Sequence, residues 1–296
     1  MTIVRSKRIT PYLISLPAFV FLAFALYSPI LVLLRYSFAV KPSYGERMSF
    51  VWSLVNYQDF FFDPELEVFR MTLLKTLGVA LLVTTICLIV GYPFAYFLAS
   101  PRKTIRFKTL LTLLCLFPYL TGYIVRIYAW RVILGSGGVI NHALQSLGLI
   151  KEPLTFLLYG PFSVFIALVY LYLPAFTFPI YLSFEKLNVN WLEAAEDLGA
   201  DRVRTFLRVI LPLTSPGILV GALIVFPIIT ASYAETVMLG GGWLRIMFGN
   251  LIQNSFFVSN EYPLGSASSA ILLLIVVTAC ILLIGSVRIE RIFKVR

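Results

Sequence analysis

Residues 188–218 read NVNWLEAAEDLGADRVRTFLRVILPLTSPGI, a charged stretch holding two helix-length pieces between two long apolar runs. Asn190 is placed to cap a helix beginning at Trp191, and Glu193, three residues on, to reach back to the Asn190 amide as the acid of a capping box. Ala194, Ala195 and Leu198 give this short helix a small, smooth face. Gly199 predicts its end, because glycine takes a positive φ at little cost. Asp201 predicts the cap of a second helix, with Val203, Phe206, Leu207 and Ile210 on an apolar side and Arg202, Arg204 and Arg208 left polar. Pro212 and Pro216 are expected to end that helix and start the next apolar run. The stretch reads as a helix–turn–helix lying beneath a membrane.

The remainder of the chain supports the membrane. Of 296 residues, 59% are hydrophobic and only 13% charged, against roughly 25% charged in soluble domains. Six stretches approach the ~20 apolar residues that cross a bilayer. They fall at about 12–34, 76–100, 109–134, 158–182, 214–236 and 264–287, with the charged loop at 188–213. The expected fold is all-α, a polytopic membrane protein of six transmembrane helices forming a single domain over 1–296. Fifteen of the 24 Lys and Arg residues lie in the N-terminal tail, the loops after spans two and four, and the C-terminal tail. That alternation predicts both termini in the cytoplasm. The net charge of +10 is therefore a topology signal, and a nucleic-acid partner is not expected because the basic residues flank spans without forming one patch.

The first apolar run exceeds the 7–15 residues of a signal-peptide core and reads as a retained anchor. Cys87, Cys115 and Cys280 fall inside spans, and His142 is the single histidine, so neither a metal nor a catalytic residue is expected. In the outer loops, Asp63 with Pro64 predicts a short capped helix. Val139, Ile140, Leu144 and Leu147 follow a Gly-rich turn at helical spacing. Prolines such as Pro93, Pro118, Pro174, Pro179 and Pro227 mark bends, since each frees a carbonyl that lipid cannot satisfy.

The loop pattern as a whole is Glu193-Ala194-Ala195, Gly199-Ala200, Phe206, Leu211-Pro212-Leu213 and Pro216-Gly217-Ile218. It resembles the EAA loop of the permease subunits of ABC importers. The resemblance covers nearly the whole chain. It extends to the spermidine/putrescine branch through Gly91-Tyr92-Pro93, Arg126-Ile127-Tyr128, Gly249-Asn250-Leu251-Ile252 and Tyr262-Pro263-Leu264-Gly265-Ser266-Ala267. It implies the type I importer permease fold, with the first loop helix as a coupling helix that docks on a cytoplasmic ATPase. Glu193, Ala194, Ala195, Gly199 and Ala200 are the residues it assigns there. It also implies two ATPase subunits, a second permease that is a different chain, and an extracytoplasmic substrate-binding protein. No Gly-x-x-x-x-Gly-Lys loop occurs in this sequence, so ATP and Mg are expected on the partner ATPase and no cofactor on this chain.

Ionisable groups at membrane depth are candidates for a substrate path. Here they are Glu235, which follows Tyr233, and Arg126 and Arg131, which flank Tyr128 and Trp130; Tyr119 lies nearby in the same span. Tyr123, Tyr170 and Tyr172 could add aromatic faces for an ammonium. One acid is thin provision for a di- or trication, and Val237 stands where the branch often places a second. A polyamine or related small amine is the expected cargo, and the residues leave open a zwitterionic or anionic solute, an amino-acid derivative such as γ-aminobutyrate. A stand-alone ion-coupled carrier would expect ionisable groups near mid-membrane in several spans, and spans one, two, four and six have none.

Overall fold

The computed structural model describes residues 6–40, 50–99, 105–240, 244 and 246–286. Arg5, Arg102, Lys103, Arg288, Arg291, Lys294 and Arg296, counted above among the basic residues of the tails and loops, lie outside them. Among the described residues the chain is helical, with no extended strand. Six stretches are long and apolar enough to cross a membrane: Ser15–Ser37, Pro64–Ala99, Tyr123–Ser146, Pro161–Glu185, Arg202–Thr230 and Tyr262–Gly285.

The helices in chain order begin with α1 (Ser6–Ser37), α2 (Val55–Phe62) and α3 (Glu67–Ala99). Next come α4 (Ile105–Leu116), α5 (Tyr123–Leu134), α6 (Val139–Ser146), α7 (Phe156–Tyr159) and α8 (Pro161–Glu185). The chain continues with α9 (Val189–Asp197), α10 (Arg202–Thr205), α11 (Leu211–Thr230), α12 (Ala234–Leu239), α13 (Phe248–Phe257) and α14 (Tyr262–Ser286). On α1, Phe19, Phe21 and Phe24 stand exposed, which suits a helix solvated by lipid.

Two expectations are corrected. The apolar stretch in this part of the chain begins only at Tyr123, and 109–134, expected as the third span, is not one helix. Those residues belong to α4 and α5, joined through a tight turn at Phe117–Leu120 and by Thr121 and Gly122. Pro118 withholds an amide donor there, and Gly122 leaves the helical region at φ −58, ψ 143 to start α5. Pro212 and Pro216 do not end a helix either. Helical structure runs unbroken from Arg202 to Thr230 through one π-helical stretch, Phe206–Ile210. The Leu211 amide bonds the Phe206 carbonyl five residues back, so the wide turn falls directly before Pro212, whose ring would press on the carbonyl four residues back in a regular helix.

The chain divides into two compact units. One comprises residues up to Arg70 together with Ile252–Leu274. Within it, the buried Asn56 amide donates to the carbonyls of Ser37 and Ala39 at 2.9 and 2.7 Å, and the Tyr57 hydroxyl to Ser37 Oγ at 2.8 Å. Asp63 caps the turn Pro64–Leu66, as expected, by accepting from the Glu65 amide.

The other unit comprises Met71–Leu251 and the residues from Ile275 on. Its core is α8 against α11, with Phe176, Ile180, Val225 and Ile229 fully buried. Gly217 permits this crossing: a Cβ there would lie 2.5 to 2.8 Å from Ser183 Oγ, the Pro179 carbonyl and Ile180 Cα. Gly221, one turn on, meets the Phe176 carbonyl the same way. Gly217-x-x-x-Gly221 is the small-residue spacing that lets membrane helices approach closely. Gly217 of the loop pattern therefore serves packing.

Candidate functional site

The loop segment is built by local caps. α9 starts two residues earlier than expected, because Asn188 rather than Asn190 is the cap. Asn188 has extended backbone (φ −80, ψ 125), and its side chain accepts from the Asn190 amide at 3.0 Å. Glu193 consequently lies in the second turn and closes no capping box; it is exposed. At the other end the Gly199 amide bonds the Glu196 carbonyl at 2.9 Å and the Ala200 amide the Ala195 carbonyl at 3.0 Å. With Gly199 at φ +77, this is a Schellman motif, which satisfies the last free carbonyls. Asp201 then caps α10, accepting from the Arg204 amide at 2.7 Å.

The two faces of α9 differ. Leu192 and Ala195 turn toward the protein, Leu192 packing against the core of its unit. Trp191, Ala194 and Leu198 face outward as one stripe, Leu198 being 88% exposed. Behind the loop, Phe206 stands edge-on to Tyr92, with ring centroids 5.9 Å apart. Tyr92 also meets Phe184 at 5.3 Å, and its hydroxyl shares a 2.8 Å hydrogen bond with Thr214 Oγ1. Two sequence patterns 110 or more positions apart thus interlock. Thr214 was not singled out in the sequence; a hydroxyl two residues before Pro216 was its one signal.

The second cluster is built by long-range contacts. α11 ends at Thr230, and a turn over Ala231–Tyr233 leads into α12, which carries Glu235. Asn250 clamps that turn. Its Oδ1 accepts from Thr236 Oγ1 at 2.7 Å and from the Met247 amide at 2.8 Å, and its Nδ2 donates to the Tyr233 carbonyl at 3.1 Å. Gly249 makes room, since a Cβ there would come within 2.9 Å of the Ser232 carbonyl. Gly249-Asn250 is therefore what aims Glu235.

Glu235 is 0% exposed. Its Oε1 accepts from the Tyr172 hydroxyl at 3.1 Å and from Ser232 Oγ at 3.4 Å. Tyr123, the first residue of α5, interacts with both Glu235 and Tyr172. Glu235 Oε2 is buried without a hydrogen-bond partner, and no basic side chain pairs with Glu235 among the described residues.

The other sequence candidates form separate contacts. The Arg126 guanidinium lies over the Tyr119 ring, 4.8 Å from its centroid, and its buried Nε has no partner. The Tyr119 hydroxyl donates to the Leu171 carbonyl at 2.6 Å. Trp130 packs edge-on against Tyr170 at 5.4 Å. Arg131 donates to the Met238 carbonyl of α12 at 3.2 Å. The Tyr128 and Tyr233 rings stand exposed, although the Tyr233 carbonyl belongs to the Asn250 clamp. So Glu235 gathers Tyr172, Tyr123 and Ser232, while Arg126 gathers Tyr119.

No family model matches the chain. Individual proteins do. The chain is 37% identical over 249 residues to the spermidine/putrescine transport system permease protein PotB of Escherichia coli, covering 83% of this chain and 86% of that one. It is 35% identical over 251 residues to the PotB of Haemophilus influenzae, covering 85% of each. In structure it resembles a chain of a bacterial alginate ABC transporter solved in complex with an alginate-pentasaccharide-bound periplasmic protein. There the TM-score is 0.72 over 97% of this chain and 96% of that one, at 16% identity. The helix order, the loop built on Glu193 to Gly217 and these likenesses converge: the chain belongs to the PotB family of ABC transport permeases, multi-pass proteins of the bacterial inner membrane.

Proposed function

We propose that this chain is the non-catalytic, membrane-spanning subunit of an ATP-driven, binding-protein-dependent importer for polyamines of the spermidine or putrescine kind, with α9 as its coupling helix. The observation that carries the coupling role is the outward stripe of Trp191, Ala194 and Leu198 on a helix capped at both ends. A short helix presenting anchors at this spacing is suited to a groove on a partner. Glu193 and Ala194 make the contact. Ala195, Gly199 and Ala200 fix the helix end that presents it.

The partners in this reading are two ATPase subunits, which bind ATP and Mg, a second permease of different sequence, and an extracytoplasmic binding protein. The complex reported for the alginate transporter supports the last of these. The Lys and Arg distribution puts both termini in the cytoplasm, on the side of the ATPases. Closure of the ATPase dimer moves α9, and the Phe206–Tyr92–Thr214 contacts pass that movement to α3 and α11.

The cargo assignment draws on the names of the relatives and on Glu235, the one buried carboxylate among the described residues, set among tyrosines in a way that suits an ammonium. One observation favours a second reading: the unpartnered Arg126 Nε could receive the carboxylate of a zwitterion. Uptake competition separates the two. In vesicles holding the complete complex, spermidine and putrescine should displace labelled cargo while γ-aminobutyrate does not; the reverse result favours the zwitterion. Glu193→Arg should insert normally and lose more than about tenfold in ATP-driven uptake, the size expected when an interface anchor is lost. Wild-type uptake by that variant would refute the docking role.

A further inference from the structure

We propose that Glu235, with Tyr172, Ser232 and Tyr123, forms a site for one protonated amine of the cargo, and that Tyr123 is its cover. The proposal rests on the importer reading and gives it a chemical address. A carboxylate withdrawn from water without a counter-charge is costly, and the cost is relieved by a paired cation. The Oε1 side is already served by Tyr172 and Ser232, whereas Oε2 is buried and receives nothing. The missing partner is a hydrogen-bond donor.

A metal ion is a poor candidate for that partner, because Ca²⁺ takes 6–8 oxygens and Mg²⁺ a strict octahedron. One carboxylate and three hydroxyls do not supply either, and no group of three His, Cys, Asp or Glu residues occurs among the described residues. An alkylammonium fits better. It carries three donors, enough for Oε2 and a hydroxyl, and its charge is favoured beside aromatic rings.

The route in is set by the broken third span. Glu235, Tyr172 and Ser232 are all buried, and Tyr123 alone of the four is open, at 38% exposure. Tyr123 begins α5 immediately after the interruption at Phe117–Gly122. Interrupted membrane helices give a backbone that can line a cavity and move. Rotation of Tyr123 at this joint uncovers Oε2 while Asn250 holds the carboxylate still. A single carboxylate balances a single ammonium, so the remaining charges of a di- or triamine fall to the partner permease.

The test uses the complete complex in vesicles, with labelled putrescine delivered by the binding protein and uptake measured against concentration. Glu235→Gln should lower uptake more than about tenfold, as expected when one member of a buried charge pair is lost. Glu235→Asp should recover part of it, and subunit stoichiometry on purification should be unchanged. Tyr172→Phe should raise the half-saturating concentration about threefold, the size of one lost hydrogen bond, with little change in maximal rate. Glu235→Gln uptake that matches wild type at every concentration overturns the site and leaves the importer intact. If Glu235→Gln does not assemble, Tyr172→Phe decides: unchanged concentration dependence overturns the site. A wild-type complex that imports no amine, yet hydrolyses ATP in response to a binding protein loaded with another solute, overturns the site and the polyamine reading together.

Discussion

The α9 segment and the Glu235 cluster solve opposite problems. α9 has an exposed face, and its caps are local: Asn188 accepts from Asn190 at the start, and Ala195 and Glu196 accept from Ala200 and Gly199 at the finish. Its ends are set by near neighbours, and Leu192 seats its inner face on the core. Glu235 is buried and depends on distant residues, with Tyr172 63 positions away and Asn250 closing the turn from the far side. It also keeps one oxygen unsatisfied. Apolar contact area is left unfilled on the first and a charge is left uncompensated on the second. The kind of group each lacks is the kind of partner each is suited to bind.

The comparison can be tested by separating the two regions energetically. The largest effect is expected from Gly217→Leu, which attacks the crossing beneath both. Its side chain would collide with backbone of α8, and no monodisperse protein should be recovered on size exclusion in detergent. Ordinary recovery would mean that α8 and α11 are not closely seated. Next is Asn250→Ala, which frees the turn under Glu235 and should cost about 2–3 kcal/mol for its lost buried hydrogen bonds, read as a lower thermal midpoint. ATPase binding should persist, because α9 is not involved. Gly199→Ala should cost about 1–2 kcal/mol, since a side chain is disfavoured at positive φ, and should weaken ATPase binding before cargo handling. Smallest in stability is Leu198→Asp, within about 0.5 kcal/mol as for an ordinary surface change. Its effect should instead be loss of co-purifying ATPase. If Leu198→Asp keeps the ATPase and Asn250→Ala sheds it, the division of labour between the two regions is wrong.

What the sequence discloses follows the range of the interactions. Gly199 and Asp201 were readable because a cap is a contract between near neighbours. Asn188 was passed over for Asn190 because both are competent caps. The choice falls to how α8 ends, where the Leu187 amide still bonds the Phe184 carbonyl. The six spans were readable from bulk hydropathy, but the break in the third was not. Pro118 announced a bend, and only with Gly122 four residues on does it become an interruption. Pro212 and Pro216 suggested a helix end, whereas the preceding wide turn absorbs Pro212 and the helix continues. Glu235 was visible as a rare acid beside a span. Its bond to Tyr172 and the Tyr92–Thr214 bond were not, since nothing in a linear pattern fixes contacts across 63 and 122 positions, and the Asn250 clamp, 14 to 17 positions from Thr236 and Tyr233, follows no local cap rule.

The wide turn at Phe206–Ile210 has a consequence for register. Phe206 and Thr214 both reach Tyr92, although residues eight apart on a regular helix point about 80° away from each other. One extra residue in the coil makes eight count as seven, and seven steps bring the two side chains back to within about 20°. The inserted residue therefore works as a phase shifter between the cytoplasmic loop and the membrane. Deleting one position there would leave a smoother helix. It would put the two side chains seven regular steps apart and leave the direction of α9 unchanged, whereas regularising the turn with every residue kept would swing α9 by about 100° around the axis of α11 and turn its stripe to face elsewhere.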